Sequence, residues 1–230
     1  MKAVILAAGK GSRLKDIALD IPKPMILFNG KPILEHNILL CKQYGINEIY
    51  INTHHLSEKI VDYFKAGNRF GISIKYSYEE ELLGTAGALN NFRKYLTEPF
   101  FVIYGDNITN FNLNSLKKKF IEENPIAVIG FHYREDVRHS GVAEFDENDR
   151  IVRFIEKPKG NETKSKWVNA GVYYLSPRIL SYISEGEVDF AKEIFPRLIK
   201  KEVPLFGVRE NVDVKVFDTP ELYNKTLGDK

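Results

Sequence analysis

Cysteine is nearly missing from this chain of 230 residues: Cys41 stands alone. A single thiol excludes an internal disulfide, and with it the small stapled scaffolds of oxidising compartments. A reducing cytoplasm is the expected setting. Long apolar runs are missing too. The run VILAA near the N-terminus falls far short of a signal-peptide core or of the roughly 18 apolar residues of a membrane span. A soluble protein is therefore expected. An excess of charge of one sign is also missing, since 33 Lys and Arg face 31 Asp and Glu for a net charge of +2. That balance argues against nucleic acid or a membrane as the main partner, while local basic clusters remain free to bind phosphate. Linkers, repeats and low-complexity tracts are absent as well.

What is there reads as an ordinary globular chain, 43% hydrophobic and 28% charged. The length suits one large domain, read here over 1–230, with a first half of about 1–115 and a second half of about 116–230. AVILAA (3–8) is a short continuous apolar run, as expected of a strand buried on both faces. Residues 33–45 carry a helical apolar spacing that stops at Gly45. Residues 46–53 alternate as a strand, 56–67 read as a helix capped by Ser57, 73–78 as a strand and 84–96 as a helix. FFVIYGDN (100–107) is an apolar strand ending in Gly-Asp. Alternation with short connections predicts parallel strands joined by right-handed crossovers. The second half reads as longer, mixed strands with a helix at 190–201. The fold class is α/β, with a mixed, mostly parallel sheet flanked by helices.

In such sheets ligands sit beyond the carboxyl ends of the strands. AAGKGSR follows the first strand and so lies there. Gly9 and Gly11 let the backbone approach a ligand closely, converging N–H groups can hold an anion, and Arg13 and Lys23 add positive charge. This combination suits a polyphosphate. The Walker pattern is absent, and the dinucleotide fingerprint would need glycine where Leu14 stands.

A-A-G-K-G-S-R-L followed by I-P-K-P-M resembles the signature of the sugar-phosphate nucleotidyltransferases, and the pattern is closest to that of the sugar-1-phosphate guanylyltransferases. L-G-T-A-G-A (83–88), Y-G-D-N (104–107), G-V-A-E-F-D (141–146), E-K-P (156–158) and N-A-G-V-Y (169–173) follow in the family's order. The resemblance implies transfer of a nucleoside monophosphate from an NTP to a sugar 1-phosphate, with Mg2+ as cofactor, in the service of polysaccharide or glycan synthesis. It implies a Rossmann-like, GT-A-like nucleotide-binding core with a sugar-binding lobe. Many relatives carry a C-terminal extension that has no counterpart here, so a monofunctional protein is expected.

The resemblance assigns catalytic charge to Arg13 and Lys23. It places nucleotide contacts on Leu6, Ala8, Gly9, Gly11, Ser12, Glu79, Gly84 and Thr85, and sugar-phosphate contacts on Gly141, Glu156, Lys157 and Asn169. The metal falls to Asp106 and Asp218, with Asp213 held in reserve. Thymidylyl and many uridylyl relatives carry glutamine where Glu79 stands. An ionised glutamate only accepts hydrogen bonds, which matches the two adjacent donors of guanine. GTP is therefore the expected substrate, Glu80 or Glu81 being alternative contacts. Other readings are dTTP, UTP or CTP, a non-sugar phosphate acceptor, or an inactive nucleotide-sensing subunit. Self-association into a homo-oligomer is left open. Adjacent His54 and His55 are read as loop residues rather than metal ligands, and Cys41 as a core residue.

Overall fold

A computed structural model describes residues 1–9 and 20–217. The chain divides into two compact units, Met1–Leu82 with Ile103–Asn110 and the segment from Val214, and Leu83–Val102 with Phe111–Asp213.

In the first unit β1 (Lys2–Leu6) is followed by a single 3-10 turn (Lys23–Met25) and by the short pair β2 (Leu27–Phe28) and β3 (Lys31–Pro32). Then come α1 (Ile33–Gln43), β4 (Glu48–Thr53), α2 (Ser57–Phe64) and β5 (Ser73–Tyr78). β1, β4 and β5 are parallel, with Leu6 opposite Asn52 and Thr53 opposite Tyr78. This register aligns the strands' carboxyl ends in one row. Ala3, Val4 and Ile5 are fully buried, as are Ile33, Leu34, Ile38 and Cys41 of α1. The apolar run and the helical spacing thus have one cause, a strand covered on both faces and a helix packed by one stripe. Leu56, with φ of 52°, stands at the cap position of α2, and no side chain caps it. Ser57 is the first helical residue instead of the expected cap.

β6 (Phe100–Tyr104) lies next to β1. Gly105 and Asp106 turn the chain into β7 (Asn107–Thr109), which pairs antiparallel with β13 (Val214–Val216). Phe217, fully buried, packs with Ile26, Phe28 and Ile33.

The second unit begins at α3 (Gly84–Gly87), which continues as a 3-10 helix over Ala88–Tyr95. The expected regular helix over 84–96 is broken because Gly84, Gly87, Asn90 and Asn91 are poor helix formers. Then follow α4 (Leu113–Glu123), β8 (Ala127–Tyr133), β9 (Gly141–Phe145), β10 (Ile151–Glu156), β11 (Trp167–Leu175), α5 (Phe195–Lys200) and β12 (Leu205–Glu210). β9 pairs antiparallel with β10 and β11, β8 antiparallel with β11 and parallel with β12. The mixed α/β sheet expected from the sequence is present, its parallel part concentrated early in the chain. The segment expected as one helix over 190–201 opens as a π-helical turn (Phe190–Ile194) before α5. Pro196 lacks an N–H and its ring crowds the preceding turn, which shifts the ladder there. No helix of the described residues is long and apolar enough to cross a membrane.

Candidate active site

Ala7 and Ala8 are buried just past β1, and Gly9 after them is exposed. The Gly105 N–H donates to the Leu6 carbonyl at 2.8 Å. A Cβ on residue 105 would lie 2.7 Å from that same oxygen, so only glycine permits the turn. Asp106 is thereby carried to the end of β1. Lys23 stands in a tight turn between Pro22 and Pro24 and is only 6% exposed. Its ammonium donates to Asp106 Oδ2 at 2.6 Å. Charge-assisted bonds this short are the strong ones. Lys23 is therefore a buried cation held against a carboxylate.

The sequence reading missed Asn52. Its Oδ1 accepts from the Ala7 N–H at 2.9 Å, and its Nδ2 donates to Glu79 Oε1 at 2.8 Å. The backbone donor fixes the amide's orientation, so the carboxylate must act as an acceptor there. Glu79 is buried, while Glu80 and Glu81 are exposed. His54 lies beside this relay, its Nδ1 2.8 Å from the Glu79 carbonyl and its ring stacked on Tyr78. The available signal for Asn52 was only a polar side chain near the carboxyl end of a strand.

In the second unit Gly84 has φ of +72°, and a Cβ there would meet the Val188 carbonyl at 2.5 Å. The Thr85 hydroxyl donates to Asp189 Oδ2 at 3.0 Å and accepts from the Phe190 N–H at 2.9 Å. Its proton is thus committed within the protein. Gly141 pairs with Glu156 across β9 and β10. A Cβ on residue 141 would lie 2.9 Å from both Glu156 Oε2 and the Phe154 ring, so glycine is required there. Lys157 has φ of 53° and places its Nζ 3.9 Å from Glu156 Oε1. Asn169 bonds inward at both ends, to the Tyr173 hydroxyl at 2.7 Å and the Gly171 N–H at 2.9 Å.

Burial pushes the Glu156 carboxyl above its ordinary value of 4.5. Asp189 adds to the rise, while Lys157 and Lys192 oppose it. A raised folded value means that charging the group costs stability, so this cost appears as pH rises from below 4.5 through the folded pKa. Glu156→Gln is accordingly expected to raise the melting temperature at pH 7 and to lose that advantage towards pH 4. Equal melting differences at the two pH values would show that the carboxyl is not desolvated.

Gly11, Ser12, Arg13 and Asp218 lie outside the described residues. Asp213 is within electrostatic reach of His132, whose imidazole is pushed down to about 4 chiefly by burial. Among the described residues no three His, Cys, Asp or Glu side chains form a ready-made metal cage. Magnesium does not need one, because it binds through one or two carboxylates together with phosphate oxygens and water. The Asp106 carboxylate, 35% exposed and a hard oxygen donor, fits that requirement.

Residues 2–213 match the model of a family described as Nucleotidyl transferase. A protein of Synechocystis sp. named UTP–glucose-1-phosphate uridylyltransferase is 37% identical over 99% of this chain and 63% of its own length. The zebrafish (Danio rerio) mannose-1-phosphate guanylyltransferase catalytic subunit beta is 36% identical over 85% of this chain and 55% of its own. The chain thus spans about three-fifths of the length of these curated relatives. A Bacillus anthracis crystal structure, assigned as a glucose-1-phosphate thymidylyltransferase, superposes with a TM-score of 0.88 at 26% identity, covering 99% of this chain and 94% of that one. The motif order, the mixed α/β fold and the family match agree: the chain belongs to the nucleotidyl transferase family.

Proposed function

We propose that this protein transfers a nucleoside monophosphate from an NTP, with GTP favoured, to a hexose or heptose 1-phosphate, releasing pyrophosphate. The observation that carries this reading is the buried Lys23 ammonium held 2.6 Å from the Asp106 carboxylate at the end of β1. A phosphate monoester has a second pKa near 6 and is largely ionised at neutral pH, so the acceptor needs no general base. Catalysis then reduces to orienting the reactants in line and neutralising charge at the α-phosphate. Lys23 supplies a fixed cation for the reacting phosphates, and Arg13 grips the leaving pyrophosphate. Asp106, together with Asp218, would hold Mg2+, which when bound would supply further neutralisation of the phosphate oxygens. The family resemblance assigns the sugar hydroxyls to Glu156 and Asn169 and the sugar's phosphate to Lys157.

Two features support guanine. Glu79, a carboxylate by residue type, accepts from Asn52 Nδ2 through Oε1. A carboxylate can receive the adjacent N1–H and 2-amino donors of guanine, whereas uracil and thymine require both a donor and an acceptor. The guanylyltransferase name of the zebrafish relative points the same way. The second reading is UTP, favoured by the name of the Synechocystis relative. Pyrophosphate release measured with GTP, UTP, CTP and dTTP against a panel of sugar 1-phosphates separates the two. A GTP preference of about tenfold or more, equivalent to about 1.4 kcal/mol, is expected. A preference for UTP would install the second reading, and no release with any pair would refute the transferase assignment.

A further inference from the structure

Asn37 sits in the middle of α1, 1% exposed, on the face otherwise formed by Ile33, Leu34, Ile38 and Cys41. Asparagine is a poor residue for a helix interior, and burying its amide is costly unless the amide is bonded. Both costs are met at one place. Nδ2 lies 2.9 Å from the Asn107 carbonyl and 3.3 Å from the Tyr104 carbonyl. An amide nitrogen carries two protons, one for each oxygen. Tyr104 ends β6 and Asn107 begins β7, so these carbonyls bracket Gly105 and Asp106. One side chain therefore clamps both ends of the turn that carries the carboxylate. The Gly105 N–H bond to Leu6 is the third anchor.

The same helix also holds the lysine. The Ile33 N–H at its start donates to the Ile26 carbonyl at 2.9 Å, and the Ile26 N–H donates to the Lys23 carbonyl at 3.1 Å. His36 Nε2 lies 2.8 Å from the Phe28 carbonyl. The first two turns of α1 are thus a common platform for the segments bearing the cation and the carboxylate.

We infer that Asn37 is a positioning residue for Asp106, clamping the Gly105–Asp106 turn through two backbone carbonyls so that the carboxylate is aimed at the divalent cation that accompanies the nucleotide. The inference rests on the reading of Asp106 given above. Partners outside a metal's ligand shell commonly change metal affinity about 10- to 100-fold when removed.

The test is calorimetry of GTP binding to the full chain, with and without Mg2+, for wild type, Asn37→Leu, Asn37→Ser and Asp106→Asn. Leucine keeps the shape of asparagine and removes both donors. Serine is smaller and keeps the site polar should the leucine variant fail to fold. The increment that Mg2+ adds to GTP affinity is expected to fall about tenfold in the Asn37 variants, with metal-free affinity unchanged and the half-saturating Mg2+ for turnover raised alike. A merely structural role would lower thermal stability and leave the increment intact, and that result overturns the inference. Asp106→Asn separates the two levels. If it keeps the increment, the reading of Asp106 fails and the inference with it. If it loses the increment while both Asn37 variants keep it, that reading stands and the role of Asn37 is refuted.

Discussion

Lys23→Ala is expected to lower turnover by about a hundred- to a thousandfold, the usual cost of deleting a preorganised group that stabilises transition-state charge. Three features put the effect in this range. The ammonium is almost fully removed from water, so its field is screened less than that of a surface lysine. Its turn is preset by Pro22 and Pro24, so little reorganisation accompanies reaction. Its partner Asp106 is 35% exposed, so the carboxylate left behind can be hydrated and the fold survives. The loss should therefore appear in single-turnover pyrophosphate release, with only a small fall in melting temperature. Lys23→Arg is not expected to rescue activity, because a planar guanidinium does not fit a space shaped for a compact point charge. Turnover of the alanine variant within threefold of wild type would end the transferase reading as argued here.

Phe217→Ala is expected to destabilise the protein by about 3–5 kcal/mol, as large-to-small changes of buried aromatics do. At about 2–4 °C per kcal/mol for a chain of this size, the melting temperature should drop by about 6–20 °C. Phe217 is fully buried and meets Phe28 edge-on, with ring centroids 5.7 Å apart. Its neighbours Ile26 and Ile33 anchor the Lys23 turn to α1, and Val216 beside it pairs with Asn107 next to Asp106. A cavity there would loosen both sides of the charged pair, so activity should fall even below the melting transition. Phe217→Leu, which keeps most of the volume, should lose much less. A change of under about 1 kcal/mol on the alanine substitution would show that the site collapses around the deletion.

Much of this was legible beforehand because it depends on local chemistry. AVILAA announces a strand covered on both sides, and Gly105-Asp106 after an apolar strand announces a carboxylate at a strand's carboxyl end. The motifs at 7–14 and 21–25 name the family. Asn37 and Asn52 were not legible. Each is one polar residue among several in its element, and its meaning depends on carbonyls or carboxylates tens of residues away. The π-helical turn before Pro196 and the broken helix after Gly84 escaped periodicity for a similar reason. Asp189 caps the former through the Ala191 and Lys192 N–H groups, and Val188 receives the latter through the Ala86 and Gly87 N–H groups.

The amino-acid sequence by itself determined the α/β class, the apolar strand β1 and the residue types available to bind phosphate, since burial patterning acts over a few neighbouring positions. Only the tertiary structure decided that Lys23 and Asp106, 83 positions apart, share one hydrogen bond, that Asn52 donates to Glu79, and that α1 braces both charged segments. Such contacts depend on strand register and on which face of a helix is buried, and these are set when distant elements compete for the same core.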